Sequence, residues 1–299
     1  MNSESHALVF VAPPDDKPAY REALLMLGRV ALSRKLPPPE VLSGWESAQW
    51  IYPTLDAELR QEAAAAVAEM PVDWALVPLA NRRKKLLVAD MDSTIINVEC
   101  LDELADFAGI KAEIAAITER AMRGELEFEP ALRERVAKLK GLALSALQKT
   151  YDERVRLNPG ARTFVRTMAA HGARSVLVSG GFTYFTTRVA EAAGFHAERA
   201  NVLLDDGAAL TGGVQEPILG RAAKLSALQE EAAALGLTPD ETLAIGDGAN
   251  DLDMIKAAGL GIAYRAKPLV AAEADVRIDH TSLETALFFQ GYARGEFVT

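Results

Sequence analysis

Two aspartates one residue apart, Asp90 and Asp92, end the apolar run LLVA in the stretch LLVADMDSTIINVE. Carboxylates are rarely buried without a partner. Either this strand ends in solvent, or its acids share something cationic. A second acidic stretch, GDGANDLDM, sets Asp247, Asn250 and Asp251 after another apolar run. Brought to one place, four aspartates would repel and take up protons unless a cation lay among them. A hard divalent ion relieves that charge; magnesium prefers oxygen ligands, keeps waters, and uses one or two carboxylates beside a substrate phosphate. Alone, GDGAND is equally good turn material. Its pairing with Asp90 and Asp92 at successive strand ends carries the reading.

Such residues need a scaffold that brings distant strand ends together. After Leu86 the short apolar runs SVLVSGG (175–181), ETLAIGDG (241–248), GLGIAY (259–264) and ADVRID (274–279) alternate with helical stretches. That pattern predicts an α/β fold with a mainly parallel sheet, whose ligands bind beyond the carboxyl ends of the strands. Asp90, Ser179 and Asp247 all fall at such ends. Residues 97–157 read as a long helical insert carrying Glu99, Met122, Phe128 and Arg135. Residues 202–214 read as a hairpin turning at Asp205-Asp206-Gly207. Either segment could cover the strand ends.

Upstream, residues 7–12 and 47–52 and the stretch VDWALVPL read as strands, residues 18–34 as a helix, and Asp56 as the cap of a helix running to about Met70. This β-α-β-β-α-β order predicts a small α+β domain over residues 1–82, preceding the α/β domain at 83–299. The basic stretch Arg82–Lys85 between them reads as a solvated linker.

The 299 residues carry a net charge of −10, which argues against nucleic acid or an anionic membrane as partner. The single cysteine, Cys100, excludes an internal disulfide, suits a cytoplasmic setting, and reads as a small buried hydrophobe. The start, MNSESHALVFVAPP, lacks a basic stretch and is cut by Pro13 and Pro14, so it does not read as a signal peptide. The four histidines, His6, His171, His196 and His280, are scattered and read as surface or packing residues.

Asp-Met-Asp-Ser-Thr (90–94), Ser179-Gly180-Gly181, Lys224 and Gly246-Asp247-Gly248-Ala249-Asn250-Asp251, in this order, resemble the haloacid dehalogenase (HAD) superfamily of phosphotransferases. NVECLDELADFAG, ITERAMRGELEFEPALRERV and VSGGFTYF extend the likeness to about residues 86–285. The resemblance implies a HAD-like Rossmannoid parallel sheet with a helical cap; some members precede it with a regulatory, ACT-like domain. It also implies Asp90 as nucleophile, forming an aspartyl phosphate, and Asp92 as general acid and base. Magnesium (Mg2+) would be held by Asp90, Asp247 and the backbone carbonyl of Asp92, with Asp251 behind them or bound through water. Ser179, Gly180 and Lys224 would hold phosphoryl oxygens, and Asn250 would support the phosphate or Asp90.

The resemblance is greatest to members that act on phosphoserine. A zwitterionic amino acid needs an anion for its ammonium and a cation for its carboxylate, and Glu99 and Arg135 supply that pair. Read alone, they are more simply exposed helix charges. Met122 and Phe128 would pack over the substrate. The implied reaction is magnesium-dependent hydrolysis of O-phospho-L-serine, the last step of serine biosynthesis, and a homo-oligomer is compatible with it. Transfer of the phosphoryl group to an alcohol such as homoserine, and a non-catalytic amino-acid sensor, are the alternatives.

Overall fold

The computed structural model describes residues 5–54, 58–122 and 125–299, the side chains of 121 and 122 excepted. The strands are β1 (His6–Val11), β2 (Glu40–Ser43), β3 (Ser47–Tyr52), β4 (Asp73–Pro78), β5 (Leu86–Ala89), β6 (Arg174–Phe182), β7 (Ala197–Asn201), β8 (Leu203–Asp205), β9 (Leu210–Val214), β10 (Thr242–Gly246), β11 (Leu260–Tyr264) and β12 (Val276–Ile278). The α-helices are α1 (Lys17–Ser33), α2 (Leu59–Val67), α3 (Cys100–Phe107), α4 (Lys111–Met122), α5 (Phe128–Lys138), α6 (Leu144–Arg154), α7 (Ala161–Ala170), α8 (Thr183–Ala193), α9 (Arg221–Leu235), α10 (Leu252–Ala257), α11 (Pro268–Glu273) and α12 (Thr285–Phe289).

The larger sheet is parallel, in the order β12-β11-β10-β5-β6-β7. All four residues of β5 are buried, as expected of a central strand covered on both faces. From β5 the chain steps to β6 and β7 on one side, then returns through β10 to the other. The crevice of the fold therefore opens at the carboxyl ends of β5 and its neighbours. The edge strand β7, AERAN, has no apolar run to announce it and is absent from the sequence reading. Helices α3–α6 form the expected insert between β5 and β6. The hairpin β8–β9 forms as expected, but it packs on that insert: the Gly141 amide donates to the Leu210 carbonyl at 2.8 Å and the Leu144 amide to Ala208 at 3.0 Å. It therefore buttresses the insert and does not cover the strand ends.

The N-terminal strands form an antiparallel sheet in the order β2-β3-β1-β4. Helix α1 starts where Asp16 accepts a hydrogen bond from the Ala19 amide at 2.9 Å, with Pro18 in its first turn. It buries Ala19, Ala23, Leu27 and Ala31, one helical face. The expected cap of α2, Asp56, lies outside the described residues. One face of this sheet, with Leu8, Phe10, Trp50 and Leu76, packs on α1 and α2. The other face, with Ala7, Val9, Val11, Ala75 and Val77, joins the core that contains Phe288 and Phe289 of α12.

Polar ties reinforce this junction. The buried Asp73 carboxylate accepts the amides of Asp279 at 2.8 Å and Thr281 at 2.9 Å, and the Thr281 hydroxyl at 2.5 Å. The basic stretch is not a solvated linker. Arg82 donates to the carbonyls of Phe288 and Phe289 at 3.2 and 2.8 Å, and Lys84, only 7% exposed, donates to the Asp240 carbonyl at 2.6 Å. Strand-leading cations here satisfy buried carbonyls that a sequence cannot display. Asp73→Ala leaves several buried donors without an acceptor and should lower stability by about 2–3 kcal/mol, read as a fall in the urea midpoint. An unchanged midpoint would show that the junction does not depend on this carboxylate.

No helix among the described residues is long and apolar enough to cross a membrane.

Candidate active site

Three of the residues just after β5, Asp90, Asp92 and Ser93, line a cavity of about 430 Å³. Asp90 is extended, and the chain turns beyond Asp92 through Ser93, whose φ of 55° is left-handed. Both carboxylates line the cavity, together with Glu99, Phe128, Arg135, Ser179, Gly180, Asp247 and Asn250. Nine residues expected at the site from the sequence thus meet at one opening. Lys224 and Asp251 lie behind it, fully buried, and the Met122 side chain lies outside the described residues.

Carboxylate oxygens of Asp90, Asp247 and Asp251 all fall within 4.8 Å of one another. An ammonium lies in direct contact with this cluster: Lys224 Nζ sits 2.6 Å from Asp90 and 2.5 Å from Asp251. A lone helical lysine is usually solvated, and this one is 3% exposed. Burial alone would lower its pKa, but the two carboxylates overcome that and hold it raised, hence cationic. Lys267 adds a second cation that acts on Asp247, yet three acids against two ammonium groups still leave negative charge uncompensated. Burial, with Asp251 adding to it, pushes Asp90 well up and Asp247 up to about 6. Buried oxygen donors in charge excess fit a hard divalent cation. Gly246 makes the packing feasible, since a Cβ there would lie 2.4 Å from the Asp251 carboxylate carbon.

Asp92 stands apart from this cluster. Its Oδ1 accepts the Cys100 amide at 2.9 Å, and its Oδ2 accepts the Ser179 hydroxyl at 3.0 Å. Cys100 is buried as expected, yet as the first residue of α3 it presents a free helix amide to that carboxylate. Burial, with the Glu99 charge adding to it, pushes Asp92 up to about 6 against these hydrogen bonds. Ser179 also accepts the Gly181 amide at 2.9 Å, so its hydroxyl proton is directed to Asp92.

The insert supplies the opposite wall. Glu99 accepts a hydrogen bond from Ser93 at 2.7 Å. Arg135 is pulled below its usual pKa by burial, with Asp102 and Glu99 countering. Its one hydrogen bond among the described residues, at 3.3 Å, goes to the carbonyl of Ala131 in its own helix. Phe128 lies over Gly180, where a Cβ would come within 3.2 Å of the ring. Sequence reasoning missed four lining residues with polar side chains, Ser93, Asp102, Thr118 and Lys267, besides Leu101, Leu132, Gly181, Phe182 and Gly248. Ser93 and Asp102 adjoin residues already singled out. Thr118 and Lys267 carry no signal, being one hydroxyl on a helix and one lysine in a loop.

The family profile of haloacid dehalogenase-like hydrolases matches residues 87–256. A curated "Phosphoserine phosphatase" from a Polaromonas species is 47% identical over 208 residues, covering 68% of this chain and 88% of its own. Among solved structures, a HAD family hydrolase from Salmonella enterica serovar Typhi superposes with a TM-score of 0.82 at 28% identity, over 95% of this chain and 98% of its own. An unliganded "probable phosphoserine phosphatase" from Vibrio cholerae gives 0.77 at 30%, over 97% and 88%. Both structural matches extend over nearly the whole chain, the N-terminal sheet included. The motif order, the strand-end aspartates and these matches agree: the chain belongs to the haloacid dehalogenase-like hydrolases.

Proposed function

We propose that this chain hydrolyses O-phospho-L-serine to L-serine and phosphate, with magnesium as its ion. The observation that carries the substrate is the pairing, across one cavity, of the Asp90 and Asp92 carboxylates with Glu99 and an Arg135 that has no ion pair among the described residues. The names of the curated relatives support the same reading.

Asp90 attacks phosphorus, forming a bond from its carboxylate oxygen as the bond to the serine oxygen breaks. Asp92, at about 6, is partly protonated near neutral pH and gives its proton to the departing serine oxygen. In the second half, Asp92 takes a proton from water as that water attacks phosphorus and frees Asp90. Ser179 and the Cys100 amide hold Asp92 in place throughout. Asp90, Asp247 and the Asp92 carbonyl would hold the metal, with Asp251 and Lys224 behind them. Bound there, a divalent ion neutralises phosphoryl charge and lets an anionic nucleophile approach. Arg135 binds the substrate carboxylate, Glu99 its ammonium, and Phe128 excludes water.

Release of inorganic phosphate from O-phospho-L-serine tests this directly. Activity should vanish in excess chelator and return with magnesium, whereas calcium should restore little, because its looser, higher coordination misaligns the attack. Full activity in chelator would overturn the metal assignment, and no phosphate from phosphoserine would overturn the function.

A further inference from the structure

Lys267 lines the same cavity from the α/β core, in the loop between β11 and α11. Its backbone is pinned. The Lys267 amide donates to the Asp247 carbonyl at 3.0 Å, and the Lys267 carbonyl accepts the amides of Val270 at 2.9 Å and Ala271 at 3.0 Å. Its side chain is exposed, and among the described residues the ammonium has no hydrogen bond or ion pair. The other cations of the site are committed. Lys224 is held between Asp90 and Asp251, and Arg135 stands on the cap helix α5, where Asp102 and Glu99 act on it. Lys267 acts instead on Asp247, at the metal-facing end of the cavity. Five carboxylates line this opening against two cations, Arg135 and Lys267. A phosphomonoester is largely a dianion at neutral pH, its second pKa being about 6, so the field of such an opening repels it. An uncommitted ammonium at the phosphoryl end counters that repulsion. The same charge repels a divalent ion beside Asp247.

We infer that Lys267 captures the phosphoryl dianion at the core side of the opening, making it a further binding residue for the substrate's phosphate and for inorganic phosphate. This rests on the phosphate-ester reading above. Two effects of opposite sign follow from one charge: its loss weakens phosphate binding and strengthens metal binding.

The test compares Lys267→Met, which keeps most of the alkyl stem, and Lys267→Arg, which keeps the charge, with the unaltered chain. The substrates are O-phospho-L-serine and O-phosphoethanolamine, which has no carboxylate. At low ionic strength Lys267→Met should lose about fivefold or more in kcat/KM on both, with kcat little changed. The loss should shrink towards none at about 1 M salt, where charges are screened within about 3 Å. Lys267→Arg should keep most of the activity. Calorimetry without substrate should show Lys267→Met binding magnesium about threefold tighter, and its magnesium-loaded form binding inorganic phosphate about fivefold more weakly. No loss at low salt would overturn the assignment. So would a loss confined to phosphoserine, which would place Lys267 on the carboxylate, or a loss that ignores salt and is not relieved by arginine, which would make its role structural. If the unaltered chain releases no phosphate from either ester, the proposed function fails, and the inorganic phosphate titration still decides the role of Lys267.

Discussion

Asp90→Asn should form no phosphoenzyme and release no phosphate above background from O-phospho-L-serine. An amide oxygen is a poor nucleophile, and no other carboxylate can replace it. Asp247 accepts the Thr94 hydroxyl at 3.2 Å and belongs to the metal-facing cluster; Asp251 is fully buried against Lys224; Asp92 is tied to Cys100 and Ser179. Removing a nucleophile typically costs on the order of 10⁵ or more in kcat. Asp92→Asn provides the contrast. Its amide oxygen can still accept the Cys100 amide, so binding should survive. Loss of the proton donor should slow turnover by roughly 10²–10⁴-fold. Rapid-quench assays with thermal melts as the folding control separate the two. An Asp90→Asn protein with normal turnover would rule out the nucleophile.

The second large effect lies on the opposite wall. Arg135→Ala should reduce kcat/KM on O-phospho-L-serine roughly 30-fold or more, the scale set by truncating one member of a desolvated charged pair. O-phosphoethanolamine has no carboxylate to lose, so its turnover should change little. Among the described residues the guanidinium makes one hydrogen bond, back to its own helix, so the fold should tolerate the change. Glu99→Gln should weaken recognition of the ammonium while an amide oxygen remains to accept the Ser93 hydroxyl. Equal losses on both substrates would assign Arg135 to structure or phosphate chemistry.

The strand-end acids were legible in the sequence because their chemistry is local. LLVAD and LAIGD each state a buried strand and the charge that ends it, and a parallel sheet brings such ends together. The N-terminal β-α-β-β-α-β order was legible for the same reason, through alternating apolar runs. What a sequence does not state is what a long side chain reaches. The resemblance singles out Lys224 as a group holding phosphoryl oxygens, and only the fold shows that it lies between Asp90 and Asp251. Arg82 and Lys84 read as linker, yet they satisfy carbonyls about 200 and 150 residues away in the chain. Thr118 and Lys267 gave no signal, because neither a helical hydroxyl nor a loop lysine states which cavity it lines.

The central claim is that catalysis runs through a phosphoryl group carried on Asp90. Mixing the magnesium-loaded protein with ³²P-labelled O-phospho-L-serine, quenching in acid within one turnover and mapping the labelled peptide tests it most directly. The label should appear on the peptide containing Asp90, be lost at high pH as an acyl phosphate, and be absent from Asp90→Asn. Label on any other residue, or full turnover with no labelled protein at the earliest quench times, would contradict it.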